Sequence, residues 1–291
     1  MKNLINKYTY LLALLLVVIS ISSCTTSATE SQLIETLPAS QFLNQTYGTA
    51  VNQDYDIYLP ANRTTSTPVI VMLHGGFWTV GDKEEMNSFV TSAQQKLSDF
   101  AIVNTNYRLA TVGNNQFPTQ LDDIDTLLNT LASKVGDNQI SQNYYFIGVS
   151  AGGNLALMYA YTRSVNNNIK AVVNIVGPTN LTDPAYTQSI DPNIQDIAAI
   201  ILGDTYANNP TLYQNVSPLR FVNSSVPPTA QFFGGLDNLI PLSQGNDLKD
   251  ALDTAGVTNE YTLYSNEGHG WIGANLTDTE NKIANFFNSL K

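Results

Sequence analysis

Residues 144–161 read YYFIGVSAGGNLALMYAY: an apolar run of strand character, a corner of small residues around one serine, then an apolar helix. A chain that passes from strand to helix so abruptly needs a sharp turn, and Gly148, Gly152 and Gly153 leave the space for it beside Ser150. Such a turn belongs to a sheet whose strands are each followed by a helix, and it holds its serine up at the end of a strand.

The rest of the chain keeps that rhythm. Residues 68–73 (PVIVML) form an unbroken apolar run, the signature of a central strand covered on both faces. Residues 83–98 read as a helix and 100–104 as the next buried strand. Apolar residues at 121, 124, 127, 128 and 131 fall on one helical face. Strands are expected at 171–176, 230–233 and 261–264, and helices at 242–255 and 280–290. Near the start, 47–50 and 55–59 alternate as two strands around a turn at Asn52-Gln53-Asp54. The pattern predicts an α/β fold, a central mostly parallel sheet with helices on both faces, occupying 41–291. Residues 178–226 break it, with Pro178, Pro184, Pro192, Pro210 and Pro218 around one apolar helix near 194–202. An insertion between two strands would sit over their carboxyl ends and shape a pocket as a small partial cap; the alternative is a plain surface excursion.

The N-terminus carries a different signal. Lys2 and Lys7 precede an apolar run at 10–21, too short to span a bilayer, and Ile21-Ser22-Ser23-Cys24 follows. This resembles the lipobox of bacterial lipoproteins. It predicts a signal peptide at 1–23, acylation of Cys24, a Ser/Thr-rich tether at 24–40, and attachment to a membrane surface of the bacterial cell envelope, on its periplasmic or extracellular side. The alternative is an ordinary signal peptide with a cysteine beside its cleavage site.

Composition narrows the chemistry. The net charge is −11 and no basic run occurs in the body of the chain, so no Lys/Arg footprint for nucleic acid exists. With two histidines and one cysteine in the whole sequence, a zinc ligand set is not readily assembled. No glycine-rich phosphate loop follows a first strand, and no cofactor is expected.

Gly148-Val149-Ser150-Ala151-Gly152 fits G-x-S-x-G in the strand–turn–helix setting of a nucleophile elbow. A serine hydroxyl needs a neighbouring base to take its proton. In this arrangement the acid and the base follow the serine along the chain, so of the two histidines only His269 qualifies. Asp237, on the loop after the strand at 230–233, is the expected acid that orients His269; Glu267 and Asp204 are rivals. Backbone N–H groups of Ala151, Gly76 and Phe77 are the candidate oxyanion donors, and His74 is assigned to holding the 74–77 loop. Together these parts form acyl-transfer machinery.

Six segments carry a resemblance: HGGFWTVGDK (74–83), NYRLA (106–110), FPTQLDDI (117–124), GVSAGGNLAL (148–157), GGLDNLIP (234–241) and EGHGW (267–271). In this order they resemble the α/β-hydrolases grouped with hormone-sensitive-lipase-like and feruloyl-esterase-like carboxylesterases. The resemblance implies a serine esterase acting on small or carbohydrate-linked esters. It also implies a structural ion pair between Arg108 and Asp122 or Asp123. Many relatives carry a third glycine where this chain has Phe77, and the His-Gly-Gly-aromatic-Trp form also occurs in formamidase-like members. Substrate choice is thereby referred to Phe77 and Trp78. Trp78 and Trp271 are candidates for the pocket wall, with core packing as the alternative for both. An amidase, formamidase or peptidase on the same fold competes with the esterase, as does a non-catalytic binding protein.

Overall fold

The computed structural model describes residues 37–164, 168–188 and 192–291, without the side chains of 192–195. The leader at 1–23 and Cys24 lie outside the described residues, as does the tether up to residue 36. Among the described residues no helix is long and apolar enough to cross a membrane.

An antiparallel pair, β1 (Ser40–Thr46) and β2 (Asp54–Leu59), comes first. It is followed by β3 (Val69–Leu73), α1 (Asn87–Lys96), β4 (Ala101–Thr105), α2 (Thr119–Ser133) and the short α3 (Val135–Asn138). The elbow lies between β5 (Tyr144–Val149) and α4 (Ala151–Thr162), and β6 (Ile169–Ile175) comes next. Three helices then precede the next strand: α5 (Pro184–Thr187), α6 (Pro192–Leu202) and α7 (Pro210–Asn215). The chain closes with β7 (Thr229–Gly234), α8 (Leu242–Ala255), β8 (Asn259–Tyr264) and α9 (Ala274–Ser289).

The strands form one sheet in the order β1-β2-β4-β3-β5-β6-β7-β8, parallel from β4 onward and antiparallel at β1 and β2. All five residues of β3 are buried, and the period of two sorts them between the faces. Val69, Val71 and Leu73 join the core shared with α2, α4 and α8, while Ile70 and Met72 join the core under α1 and α9. β5 divides likewise, Tyr144 and Phe146 to one side, Tyr145 and Ile147 to the other. α4 is buried from Ala151 to Tyr161, which explains why GGNLALMYAY has no polar face.

The beginning of the domain differs from the sequence pattern. The first strand is Ser40–Thr46, and residues 47–50 form the bend that leads into β2. Strand β1 lies at the sheet edge with most of its residues exposed, so no apolar alternation marks it. The alternation at 47–50 does not mark a strand: Tyr47 is buried by the bend, where its hydroxyl donates to the Asn106 carbonyl at 2.8 Å.

Candidate active site

The carboxyl ends of β5, β7 and β8 lie on one edge of the parallel sheet, and each leads into a loop with one chemically apt residue. Ser150 directly follows β5 with φ 53° and ψ −119°. That left-handed region costs an L-residue about 1–2 kcal/mol, so packing must hold it. The Ser150 amide donates to the Ile175 carbonyl of the neighbouring strand at 2.8 Å. A Cβ on Gly148 would collide with the Gly152 carbonyl, so only glycine permits the chain to double back this tightly.

Asp237 lies three residues beyond β7 with its carboxylate fully buried. Its Oδ1 accepts the amides of Leu239 (2.8 Å) and Ile240 (3.0 Å), which leaves Oδ2 facing Nδ1 of His269 at 2.8 Å. Nε2 of the same ring is 2.9 Å from Ser150 Oγ. With the ring proton on Nδ1, directed at Asp237, Nε2 is free to accept the serine proton. The acid and histidine loops are joined backbone to backbone: Gly235 N–H donates to the Tyr264 carbonyl (2.9 Å) and Leu236 N–H to that of Glu267 (2.8 Å). A Cβ on Gly234 would strike the Gly268 carbonyl, so that close approach also requires glycine. The rival acids are engaged elsewhere, Glu267 with Asn275 and Asp204 with Thr205 and Asn208.

The loop after β3 lies beside the elbow. His74 is fully buried, its Nδ1 donates to the Gly75 carbonyl at 2.7 Å, and its ring stacks on Tyr107 at 4.3 Å. Burial pushes its pKa below the usual histidine range, so it is a neutral structural residue. Phe77 and Trp78 both adopt left-handed φ, 53° and 60°. This strained pair is pinned from behind: Ala110 N–H donates to the Trp78 carbonyl (2.9 Å), and Tyr107 Oη donates to that of His74 (2.9 Å). Ala110 is held in turn through Arg108, whose guanidinium grips the fully buried Asp123 carboxylate at 2.6–3.1 Å. Asp122 instead pairs with Arg163, so the ion pair expected of Arg108 is made with Asp123. The amides of Gly76, Phe77 and Ala151 have no hydrogen-bond partner among the described residues, as donors reserved for a substrate oxygen would.

Ser150 and His269 open onto a cavity lined almost wholly by apolar side chains. Phe77 and Trp78 form one side of it. Residues 178–226 supply Pro178, Leu181, Tyr186, Ile197 and Ala198, so the insertion forms much of the opposite wall. Sequence patterning did not reveal how that wall is fixed. Gln244, fully buried on α8, accepts the amides of Thr179 and Asn180 at 2.8 Å each and donates to Asp183 Oδ2 at 2.9 Å. Ser243 donates to the same oxygen at 2.6 Å. The start of the insertion is thereby tied to the helix that follows the Asp237 loop. Trp271, expected in the pocket wall, is placed elsewhere. Its ring packs on Tyr264 (4.9 Å) and its N–H donates to Thr279 of α9 at 2.9 Å, because that partner lies on the far face of the sheet.

A serine on a strand–helix elbow, with its base and acid on later loops of a parallel sheet, defines the α/β-hydrolase class. The chain belongs to the BD-FAE family, whose model matches residues 55–252; the match ends before the histidine loop. It is 23% identical to Esterase LipQ of Mycobacterium tuberculosis over 70% of this chain and 50% of that protein. It is 24% identical to kynurenine formamidase of Salmo salar over 72% of this chain and 64% of that one. The chain thus spans between half and two thirds of these curated relatives. Among solved structures, a truncated form of a carbohydrate esterase from gut microbiota superposes with a TM-score of 0.70 at 20% identity, covering 84% of this chain and 96% of that truncated one. That likeness is one of fold.

Proposed function

We propose that this protein is a serine carboxylesterase that hydrolyses small or carbohydrate-linked esters through an acyl-enzyme. The observation that carries the reading is the continuous hydrogen-bond chain Ser150–His269–Asp237, at 2.9 and 2.8 Å, at the mouth of an apolar cavity. Ser150 Oγ attacks the ester carbonyl while Nε2 of His269 takes its proton, and Asp237 stabilises the imidazolium that forms. The amides of Gly76, Phe77 and Ala151 receive the developing oxyanion. The imidazolium then protonates the leaving alcohol, and water repeats the sequence to free the acid. Similarity to Esterase LipQ supports an ester as the substrate.

The purified full-length chain should release p-nitrophenol from short-chain acyl esters, and a fluorophosphonate should label Ser150. Silence toward every acyl length from acetate to octanoate would sink the reading. The formamidase relative and the His-Gly-Gly-Phe-Trp loop favour amide hydrolysis as the second reading. Matched ester and amide substrates decide between them: the esterase reading expects the ester to be cleaved far faster.

The lipobox-like run supports attachment to the bacterial envelope through Cys24. Mass spectrometry of the N-terminal peptide from the native membrane fraction should find a diacylglyceryl thioether on Cys24, and an unmodified cysteine there would refute it.

A further inference from the structure

The cavity wall is apolar at Pro178, Leu181, Ile197, Ala198 and Leu239, yet two of its residues carry buried donors that nothing among the described residues satisfies. The indole Nε1 of Trp78 and the hydroxyl of Tyr186 are both buried without a hydrogen-bond partner among the described residues. Trp78 is only 7% exposed, and an indole N–H can do nothing but donate. A buried unpaired donor is costly, and two among the residues lining the cavity beside Ser150 call for an explanation.

For Tyr186, the nearby acceptors are already engaged. Asp183 takes the Ala185 amide on Oδ1, and Ser243 and Gln244 on Oδ2. Asp237 takes two amides and His269. Burial first, then the charges of Asp183 and Asp237, push the Tyr186 phenol well above its ordinary pKa, so it keeps its proton.

We propose that Trp78 and Tyr186 are specificity-determining donors, and that the group filling the cavity carries an oxygen that accepts from them. Resting on the esterase reading, this narrows the substrate class to esters with an ether, hydroxyl or carbonyl oxygen in the cavity-bound part, selected over plain alkyl esters of equal size. A site built to hydrogen-bond its substrate discriminates strongly against an isostere lacking the acceptor, because its own buried groups then stay unpaired.

The test uses p-nitrophenyl hexanoate and analogues with each chain methylene from C3 outward replaced in turn by an ether oxygen, and a parallel series from C3 outward on the alcohol side of hexyl acetate. Each kcat/KM is divided by the hydroxide rate of the same ester to remove intrinsic reactivity. At least one oxygen position in one series should be preferred over the parent by about tenfold. Tyr186→Phe should bring that ratio down several-fold, and Trp78→Phe should do the same. A purely structural role would lower every ester alike and leave the ratio unmoved. Hydrolysis with all ratios near one in the wild type, or a preference that survives in Tyr186→Phe, overturns the inference and leaves the esterase reading standing. Failure to hydrolyse any of the esters overturns both.

Discussion

Replacing Ser150 with alanine is expected to lower kcat for an activated ester by about a millionfold, the scale of losing a triad nucleophile. The amides of Gly76, Phe77 and Ala151 and the cavity remain, so a residual rate of about 10³–10⁴-fold over water is the expected floor. Stability should scarcely change. Alanine at φ 53° is as strained as serine, and only the half-buried contact from Oγ to His269 is lost, about 1 kcal/mol or less. Steady-state kinetics with active-site titration, to count any contaminating wild type, would check the rate. A loss below about a hundredfold would mean that Ser150 is not the nucleophile.

Asp237→Asn should cost about 10⁴-fold in kcat with little change in KM, and the reason is a tautomer. Oδ1 of Asp237 accepts two amides, from Leu239 and Ile240, so an asparagine there must keep its carbonyl oxygen on that side. Its amide nitrogen then faces Nδ1 of His269, where Oδ2 now stands at 2.8 Å. A donor opposite Nδ1 forces the ring proton onto Nε2, and the ring can no longer take the proton of Ser150. The geometry survives while the chemistry stops. Circular dichroism should match the parent, and kcat should recover little between pH 6 and 9. A variant within about tenfold of the parent would show that Asp237 does not set the tautomer.

The chemical residues were legible in the sequence because few alternatives existed. Two histidines, one of them upstream of the serine, reduced the base to His269, and a buried strand before Ser150 with an apolar helix after it fixed the elbow. The sheet was legible for a related reason: strands covered on both faces, such as VIVML, have no polar residues to obscure them. What escaped was structure made by tertiary contact. β1 is an exposed edge strand whose only signal is its partner. Tyr186 sits in a one-turn helix of a proline-rich segment, where no period marks which side faces the cavity. Trp271 carried the same pocket expectation as Trp78, and its tertiary partners Tyr264 and Thr279 draw it away from the cavity.

The clamp at Gln244 separates two jobs that share one cavity. Proton transfer depends on loops stitched to each other by their backbones, whereas the opposite wall is tied down by side chains: Gln244 with Asp183 at its root, Asn154 at Pro178 and Val216, and Gln116 at Ile200 beside the Phe117 amide at Ile201. Between those ties, the cavity-facing side chains Leu181, Ile197 and Ala198 make none of the hydrogen bonds that position Ser150, His269 and Asp237. A lineage built on this plan can trade one substrate for another by exchanging those side chains while inheriting its chemistry intact.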